Sequence, residues 1–307
     1  MSEKNTKAVF VSGANKGIGL AIVEAILSEH EQCLVILGSR DQGRGDCAKE
    51  QLLEQNPAWA SRLMTVQIDV GDSDSVEQAA KQVLQLLQLH SSELIGVVNN
   101  AGIAHGGRAE MMAVNVYGIR NVLTHFLALA SETTRFVNVT SASGPNYVAD
   151  CTSKWQNFFL DENTDWSALD AHMQEWIAVS DEELVSMGLP TGYDYGLSKA
   201  CANLLTLIAA RENPHMSINA CTPGFIDTDL TRPMLDASNR TAAELGMKLP
   251  ADGARVVMHL LFDAQRTSAY YYGSDSQRSP MDSYRAPGSP PYSPPASSVS
   301  SSAQKGD

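Results

Sequence analysis

No apolar run in this chain approaches the roughly 20 residues that a helix needs to span a bilayer. Basic residues are scarce: 22 Lys and Arg stand against 35 Asp and Glu, a formal charge of −13, which argues against a nucleic-acid or anionic-membrane partner. Cysteine is sparse as well. The five, at 33, 47, 151, 201 and 221, are odd in number and never spaced C-x-x-C. They read as small buried apolar residues in a reducing compartment, not as a disulfide framework or a zinc site. The seven histidines show no H-x-x-x-H or Cys/His ligand spacing, so no metal is expected. There is no G-x-S-x-G elbow for a serine nucleophile, and no G-K-[ST] ending for a P-loop. The opening residues Met1–Lys7 are polar, and the apolar stretch that follows stops at Ser12-Gly13, too short for a signal peptide. The expectation is a cytoplasmic globular protein.

Apolar residues make up 43% of 307, enough to bury a sizeable core. Short β-rich runs alternate with longer helical patterns. Strands are expected at Ala8–Ser12, Cys33–Ser39, Met64–Asp69, Ile95–Asn99, Arg135–Ser141 and Ser217–Cys221, each mostly apolar, as strands buried on both faces are. Helix-length patterns cover Gly17–Ser28, Ser73–Leu89, Glu110–Ala130 and Tyr195–Ala210, then Ala251–Asp263, before a last short strand near Tyr270–Gly273. This alternation predicts right-handed βαβ units in an α/β fold, a doubly wound parallel sheet forming one domain over 1–273.

Residues 145–192 break the rhythm, being far longer than an ordinary strand-to-helix loop. Thr164 is expected to cap a helix that places Trp166, Leu169, Met173 and Trp176 on one face. Ser180 with Glu183 predicts a capping box for a second helix ended by Gly188 and Pro190. Residues 150–194 carry ten acids against the single base Lys154, and three of the four tryptophans. Such an insertion beside a crevice reads either as a lid or as a helical hairpin folded down by its tryptophans. Beyond Gly273, Ser and Pro fill half of residues 274–307. With so few aliphatic groups this stretch is expected to be a disordered tail, whose Ser279-Pro280, Ser289-Pro290 and Ser293-Pro294 steps are candidate phosphorylation sites.

The first strand runs into Gly13-Ala14-Asn15-Lys16-Gly17-Ile18-Gly19, and a helical pattern follows at once. Glycines at such a turn let the backbone approach a pyrophosphate, whose charge sits at the helix N-terminus. The spacing G-x-x-x-G-x-G resembles that of the short-chain dehydrogenase/reductase superfamily, a Rossmann-type fold. At the end of the second strand stand Ser39-Arg40 where an NAD site would place an acid; with Lys16, two cations there favour a ribose 2′-phosphate and so NADP(H). Asp69-Val70 ends the third strand, where the superfamily contacts adenine, and Asn99-Asn100-Ala101-Gly102 resembles its NNAG element. Pro223-Gly224-Phe225-Ile226-Asp227-Thr228 resembles its PG-x-x-x-T segment, implying cofactor contacts from Pro223, Gly224, Ile226 and Thr228.

Tyr195 and Lys199 lie four apart on one predicted helix face. With Ser141 ending the fifth strand and Asn115 after the NNAG element, they resemble the superfamily's Asn-Ser-Tyr-Lys tetrad. A phenol can protonate the alkoxide that develops as a carbonyl is reduced, but its ordinary pKa of about 10 is high for neutral pH. A neighbouring ammonium and the oxidised nicotinamide are expected to lower it. By resemblance, Lys199 also holds the nicotinamide ribose, Ser141 orients the carbonyl, and the Asn115 main-chain carbonyl anchors a proton-relaying water. The Ala14-Asn15-Lys16 loop, the Ser39-Arg40-Asp41 run and the long insertion resemble one branch, the monomeric NADPH-dependent carbonyl reductases. The expected activity is reduction of ketones and aldehydes on neutral, fairly apolar small molecules. Two alternatives stand: a reductase dedicated to one terpenoid- or alkaloid-like ketone, and a cofactor-binding interaction protein that docks through its tail.

Overall fold

The computed structural model describes residues 6–294. Its strands are β1 Thr6–Val11, β2 Cys33–Ser39, β3 Leu63–Gln67, β4 Ser92–Asn99, β5 Arg135–Val139, β6 Ser217–Cys221, β7 Tyr271–Tyr272 and β8 Arg278–Ser279. They form one sheet in the order β3-β2-β1-β4-β5-β6-β7-β8, parallel except for the last pair. Strand alternation explains the burial. Ala8, Phe10, Leu34 and Ile36 enter the core on one face, while Val9, Val11, Val35 and Leu37 enter the core on the other. Both faces are covered by helices, so each strand reads as a nearly continuous apolar run.

One layer holds α1 Gly17–Glu29, α2 Gln42–Gln55 and α11 Pro250–Met258; the other holds α3 Ser73–Leu89, α5 Gly118–Phe126 and α10 Asp194–Glu212. The order of the sheet reverses between β1 and β4, which opens a crevice beyond their carboxyl ends. Val11 pairs with Val98, so the turn after β1 lies beside the turn after β4. Everything that follows depends on that adjacency.

Several local expectations are corrected. A helix over Glu110–Ala130 is instead α4 Arg108–Met112, a wide π turn at Ala113–Tyr117, and α5. The bulge centres on Asn115, a placement common at functional sites. Helix α2 adds a pattern that is hard to see in sequence, since only Gly45, Ala48 and Leu52 are buried along its polar length. In the insertion, α6 Ser143–Asp150 and α7 Ser153–Leu160 precede α8 Trp166–Ala178 and α9 Asp181–Met187. The capping box of Ser180 and Glu183 forms, and Gly188 ends α9 in the left-handed region. Asp165, not Thr164, caps α8: its carboxylate accepts from the Ala168 amide at 2.8 Å, while the Thr164 hydroxyl is drawn to the Phe158 carbonyl.

The boundary of the tail also moves. Residues 274–294 are ordered, contrary to the compositional expectation. Strand β8 pairs antiparallel with β7. Arg285, its side chain only 6% exposed, pairs with Asp275 and donates to the Ser279 hydroxyl at 3.0 Å and the Ser289 carbonyl at 2.9 Å. The Arg278 guanidinium lies 3.7 Å from the centre of the Tyr270 ring. Order here comes from a buried cation with four hydrogen bonds and from cation–π contact, which a count of aliphatic residues overlooks. Ser279 is buried, which removes it from the candidate phosphorylation sites. The rest of the expected tail, 295–307, lies outside the described residues.

Candidate active site

The turn after β1 is built for close approach. Gly13 and Gly17 take φ of +62° and +57°, in the left-handed region that glycine enters freely. The Ser12 hydroxyl accepts from the Asn100 and Ala101 amides at 3.1 and 3.2 Å, and the Asn100 side chain donates to the Ser12 and Gly13 carbonyls at 3.0 Å each. Helix α1 then begins at Gly17, its N-cap Lys16 offering no side-chain cap and its first turn no acid. Its first amides are therefore free for an anion, and Gly17 and Ile18 line the crevice there.

Gly19 serves differently from the expectation. It does not line the crevice; a Cβ there would stand 2.4 Å from Asn100 Nδ2 and 2.5 Å from the Gly13 carbonyl. Its bareness lets the Asn100 brace reach the turn. Asn99 is likewise corrected. Its side chain is buried and donates to Asn138 Oδ1 at 2.8 Å, and Asn138 donates to Thr206 at 2.9 Å, so it ties the sheet to α10. At the end of β4 successive side chains turn to opposite sides, and Asn100 rather than Asn99 reaches the crevice. The motif named the pair; only geometry divides the labour.

A single cavity of about 1060 Å³ joins the expected sites. Ser39, Arg40 and Arg44 stand at one end. Asp41 is no rival for a ribose hydroxyl: its carboxylate caps α2 through the Arg44 amide at 2.8 Å and lies 3.7 Å from the Arg44 guanidinium. Arg40 makes no ion pair among the described residues. This donor set fits a phosphorylated ribose better than a bare one. Lys16, expected beside Arg40, instead pairs with Asp229 at 2.6 Å, drawn towards the loop after β6. Asp69 and Val70 line the wall between, with the Asp69 carboxylate accepting from Gly71 at 3.0 Å. Asn15, Ala101, Gly102, Pro223, Gly224, Ile226 and Thr228 complete the lining as expected. Across the cleft, the Thr228 methyl would lie 3.4 Å from a Cβ at Gly17, so the two loops enclose the same slot.

Tyr195, Lys199 and Ser141 line this same cavity. Helix α10 carries the Tyr and Lys one turn apart, and the Lys199 ammonium lies 5.6 Å from the centre of the Tyr195 ring. Lys199 Nζ donates to the Val139 carbonyl at 3.3 Å, leaving two N–H groups for a ligand. A Cβ at Gly102 would be 3.3 Å from that nitrogen, so only glycine leaves it open. Ser141 Oγ donates to Ser143 Oγ at 3.1 Å and also hydrogen-bonds Tyr195. Thr222 Oγ1 accepts from the Ala142 and Gly224 amides at 3.2 and 3.3 Å, fixing the serine segment against the Pro223 loop.

The electrostatics differ from the sequence expectation. Burial pushes the Tyr195 phenol up to about 12, an effect the Ser141 hydrogen bond only partly offsets. Burial also pulls the Lys199 ammonium down to about 8. The protein alone therefore holds Tyr195 neutral, as a proton donor must be, and leaves Lys199 able to titrate near physiological pH. Asn115 is not at the cavity wall. Its side chain donates to the Ile103 carbonyl and to Ser198 Oγ and accepts from the Ile103 amide, each at 2.9 Å. With that side chain fully engaged, only its main chain is left to serve the site.

The wall around Tyr195 comes from residues 103–111 and 192–194, which pattern reading passed over, and from the loop after Pro223 as far as Met234. Ile103, Met111, Tyr193, Phe225, Leu230 and Met234 give it apolar surface, set among the polar His105, Asp194, Asp227, Asp229 and Arg232. Of the insertion, residues 145–192, only Gly192 lines it. Trp155 and Trp176 are buried against each other with ring centres 5.1 Å apart, and His172 stacks on Trp176. Trp155 and Trp176 also belong to the core cluster that includes Leu197, Cys201 and Leu204 of α10. Among the described residues no helix is long and apolar enough to cross a membrane, and no cluster suits a metal ion.

Comparison with known proteins agrees with this geometry. The family model for short chain dehydrogenase matches residues 7–155. Carbonyl reductase [NADPH] 1 of Sus scrofa is 30% identical over 255 residues, covering 78% of this chain and 85% of that protein. The (+)-neomenthol dehydrogenase of Arabidopsis thaliana is 28% identical over 263 residues, covering 75% and 86%. Salutaridine reductase from Papaver somniferum superposes with a TM-score of 0.71 over 87% of this chain and 99% of that one, at 23% identity, a likeness of fold.

Proposed function

The chain belongs to the short-chain dehydrogenase/reductase family, in its carbonyl reductase branch, and from that premise we propose how its own residues act. It reduces ketone and aldehyde groups of neutral, apolar small molecules to alcohols, with NADPH as reductant. One observation carries the reading: the glycine turn, Arg40 and the Tyr195–Ser141–Lys199 cluster share one cavity, whose lining near Tyr195 also includes Ile103, Met111, Phe225, Leu230 and Met234.

When bound, NADPH supplies hydride to the carbonyl carbon. The amides of Gly17 and Ile18 would hold its diphosphate, and Arg40 with Arg44 its 2′-phosphate. Ser141 donates to the carbonyl oxygen and sets its direction. Tyr195 gives its phenolic proton to that oxygen as negative charge develops. Lys199 turns its two free N–H groups to the ribose hydroxyls, and its charge stabilises the phenolate left behind. The Asn115 main-chain carbonyl anchors the relay that restores the proton.

A pH dependence follows. Tyr195, near 12, stays protonated across the working range, whereas Lys199, near 8, loses its charge as pH rises. The kcat/KM for reduction is expected to be level below pH 8 and to fall above it, with a limb that Lys199→Ala abolishes. A rate that climbs through that range would contradict the assignment.

The direct test is NADPH consumption with a panel of quinones, diketones, aromatic aldehydes and monoterpene ketones. Turnover at least tenfold better with NADPH than with NADH is expected, since Arg40 and Arg44 hold the extra phosphate. A panel that is inert apart from one ketone class would favour the dedicated reductase, which the (+)-neomenthol dehydrogenase relative supports. The interaction-protein alternative is weakened because residues 274–294 pack on the protein's own sheet edge.

A monomer in the cytoplasm fits the remaining observations. Strand β8 covers the β7 edge, where another chain would otherwise pair. The five cysteines are all unpaired. Light scattering should give a mass near 33.1 kDa, and a dimer would overturn this part of the reading.

A further inference from the structure

Arg108 opens α4 with its side chain only 10% exposed, and no part of the proposed chemistry uses it. Its guanidinium gathers three chain segments. Nε donates to Asp194 Oδ1 at 2.7 Å. Nη1 donates to the Trp176 carbonyl at 2.7 Å and to the Val179 carbonyl at 3.0 Å, at the C-terminal end of α8 where helix carbonyls lack partners. Nη2 pairs with Asp181, the first residue of α9. Asp194 is the first residue of α10, and Tyr195 is the next. The N-cap of α10, Tyr193, offers no side-chain cap, so the Arg108–Asp194 pair is the side-chain tie that fixes this helix start.

We propose that Arg108 is a positioning residue for Tyr195: through Asp194 it sets the first turn of α10, and through the Trp176 and Val179 carbonyls it seats the end of α8 against that turn. Elementary physics supports the assignment. A planar guanidinium with five fixed donors can hold a carboxylate and two carbonyls in one geometry, which a lysine cannot do. A buried, largely desolvated cation is held in place strongly, because leaving any partner unpaired is costly. Tyr195 must meet Ser141 and the substrate oxygen within hydrogen-bond distance, and a displacement of about 1 Å can cost roughly 100-fold in rate. Helix α4 adds a second connection, since its Met111 lines the substrate wall.

The inference rests on the carbonyl-reduction reading, and the two fail separately. If the wild-type protein turns over no carbonyl compound, the reading itself is at fault; the tests below presume turnover. Arg108→Met should lose about tenfold or more in kcat while its NADPH dissociation constant, measured by fluorescence titration, stays within about twofold, because Arg108 does not itself line the cavity. Arg108→Lys should recover part of the loss. Asp194→Asn should resemble Arg108→Met, and the double variant should lose no more than the worse single one, as expected of residues acting as a unit. Asp181→Asn, which touches Arg108 but not α10, should keep kcat within about twofold. If Arg108→Met does not fold, the Asp194→Asn and Asp181→Asn pair still decides. Wild-type kcat in Asp194→Asn, additive losses in the double variant, or an equal loss in Asp181→Asn would overturn the proposal.

Discussion

Tyr195→Phe is expected to lose about 1000-fold in kcat while binding NADPH within about twofold of the wild type, within the range for removing a general acid. The substitution deletes one oxygen and leaves the ring, so packing beside Lys199 and Ser141 is kept. The proton must then come from water, with no donor held at the developing alkoxide. The same structure says why binding should survive: the diphosphate and ribose-phosphate contacts come from the α1 start and from Arg40, at other parts of the cavity. Parallel fluorescence titration and steady-state kinetics separate the two effects. Turnover that survives the substitution would remove Tyr195 from the chemistry.

Gly19→Ala should damage the cofactor site instead, through one methyl group. Its Cβ would lie 2.4 Å from Asn100 Nδ2, 2.5 Å from the Gly13 carbonyl and 2.8 Å from the Ala14 Cα. Two of these neighbours are backbone, so the turn itself must shift. Displacing even one charge-assisted hydrogen bond to the diphosphate costs about 1.5–3 kcal/mol, or roughly 10- to 100-fold in the NADPH dissociation constant. Gly43→Ala is the control. That glycine lies in α2, where a Cβ meets nothing nearer than Asp41 Oδ1 at 3.5 Å. It should leave NADPH affinity unchanged and, by helix propensity, add up to about 1 kcal/mol of stability. Equal affinity in Gly19→Ala and the wild type would mean that the turn does not cradle the diphosphate.

How much of this could be read from the chain depends on whether the cause was local. Strands buried on both faces announce themselves as apolar runs, so β2 and β6 appear with the expected ends. The capping box of Ser180 and Glu183 is a contact across three residues and was equally plain. The glycine turn and the Tyr195–Lys199 spacing are local too, and the fold brings them to one cavity. What escaped was set by distant partners. Which of Asn99 and Asn100 faces the crevice depends on Asn138, in β5, and on Ser12, in the turn after β1. The pairing of Lys16 with Asp229 spans 213 residues, and nothing near Lys16 foretells it. The order in residues 274–294 hangs on Arg285 and Asp275, a buried ion pair in a stretch whose composition argues for none. Arg108 left no signal at all, because its partners at 176, 179, 181 and 194 converge only after the insertion has packed.

A crystal structure with NADP⁺ bound would test the central claim most directly. The account predicts the diphosphate at the start of α1, the 2′-phosphate at Arg40, and the nicotinamide ribose within hydrogen-bond reach of Lys199 Nζ, with the Tyr195 hydroxyl facing the ring. A cofactor seated elsewhere, or a Tyr195 hydroxyl turned away from the nicotinamide, would contradict it.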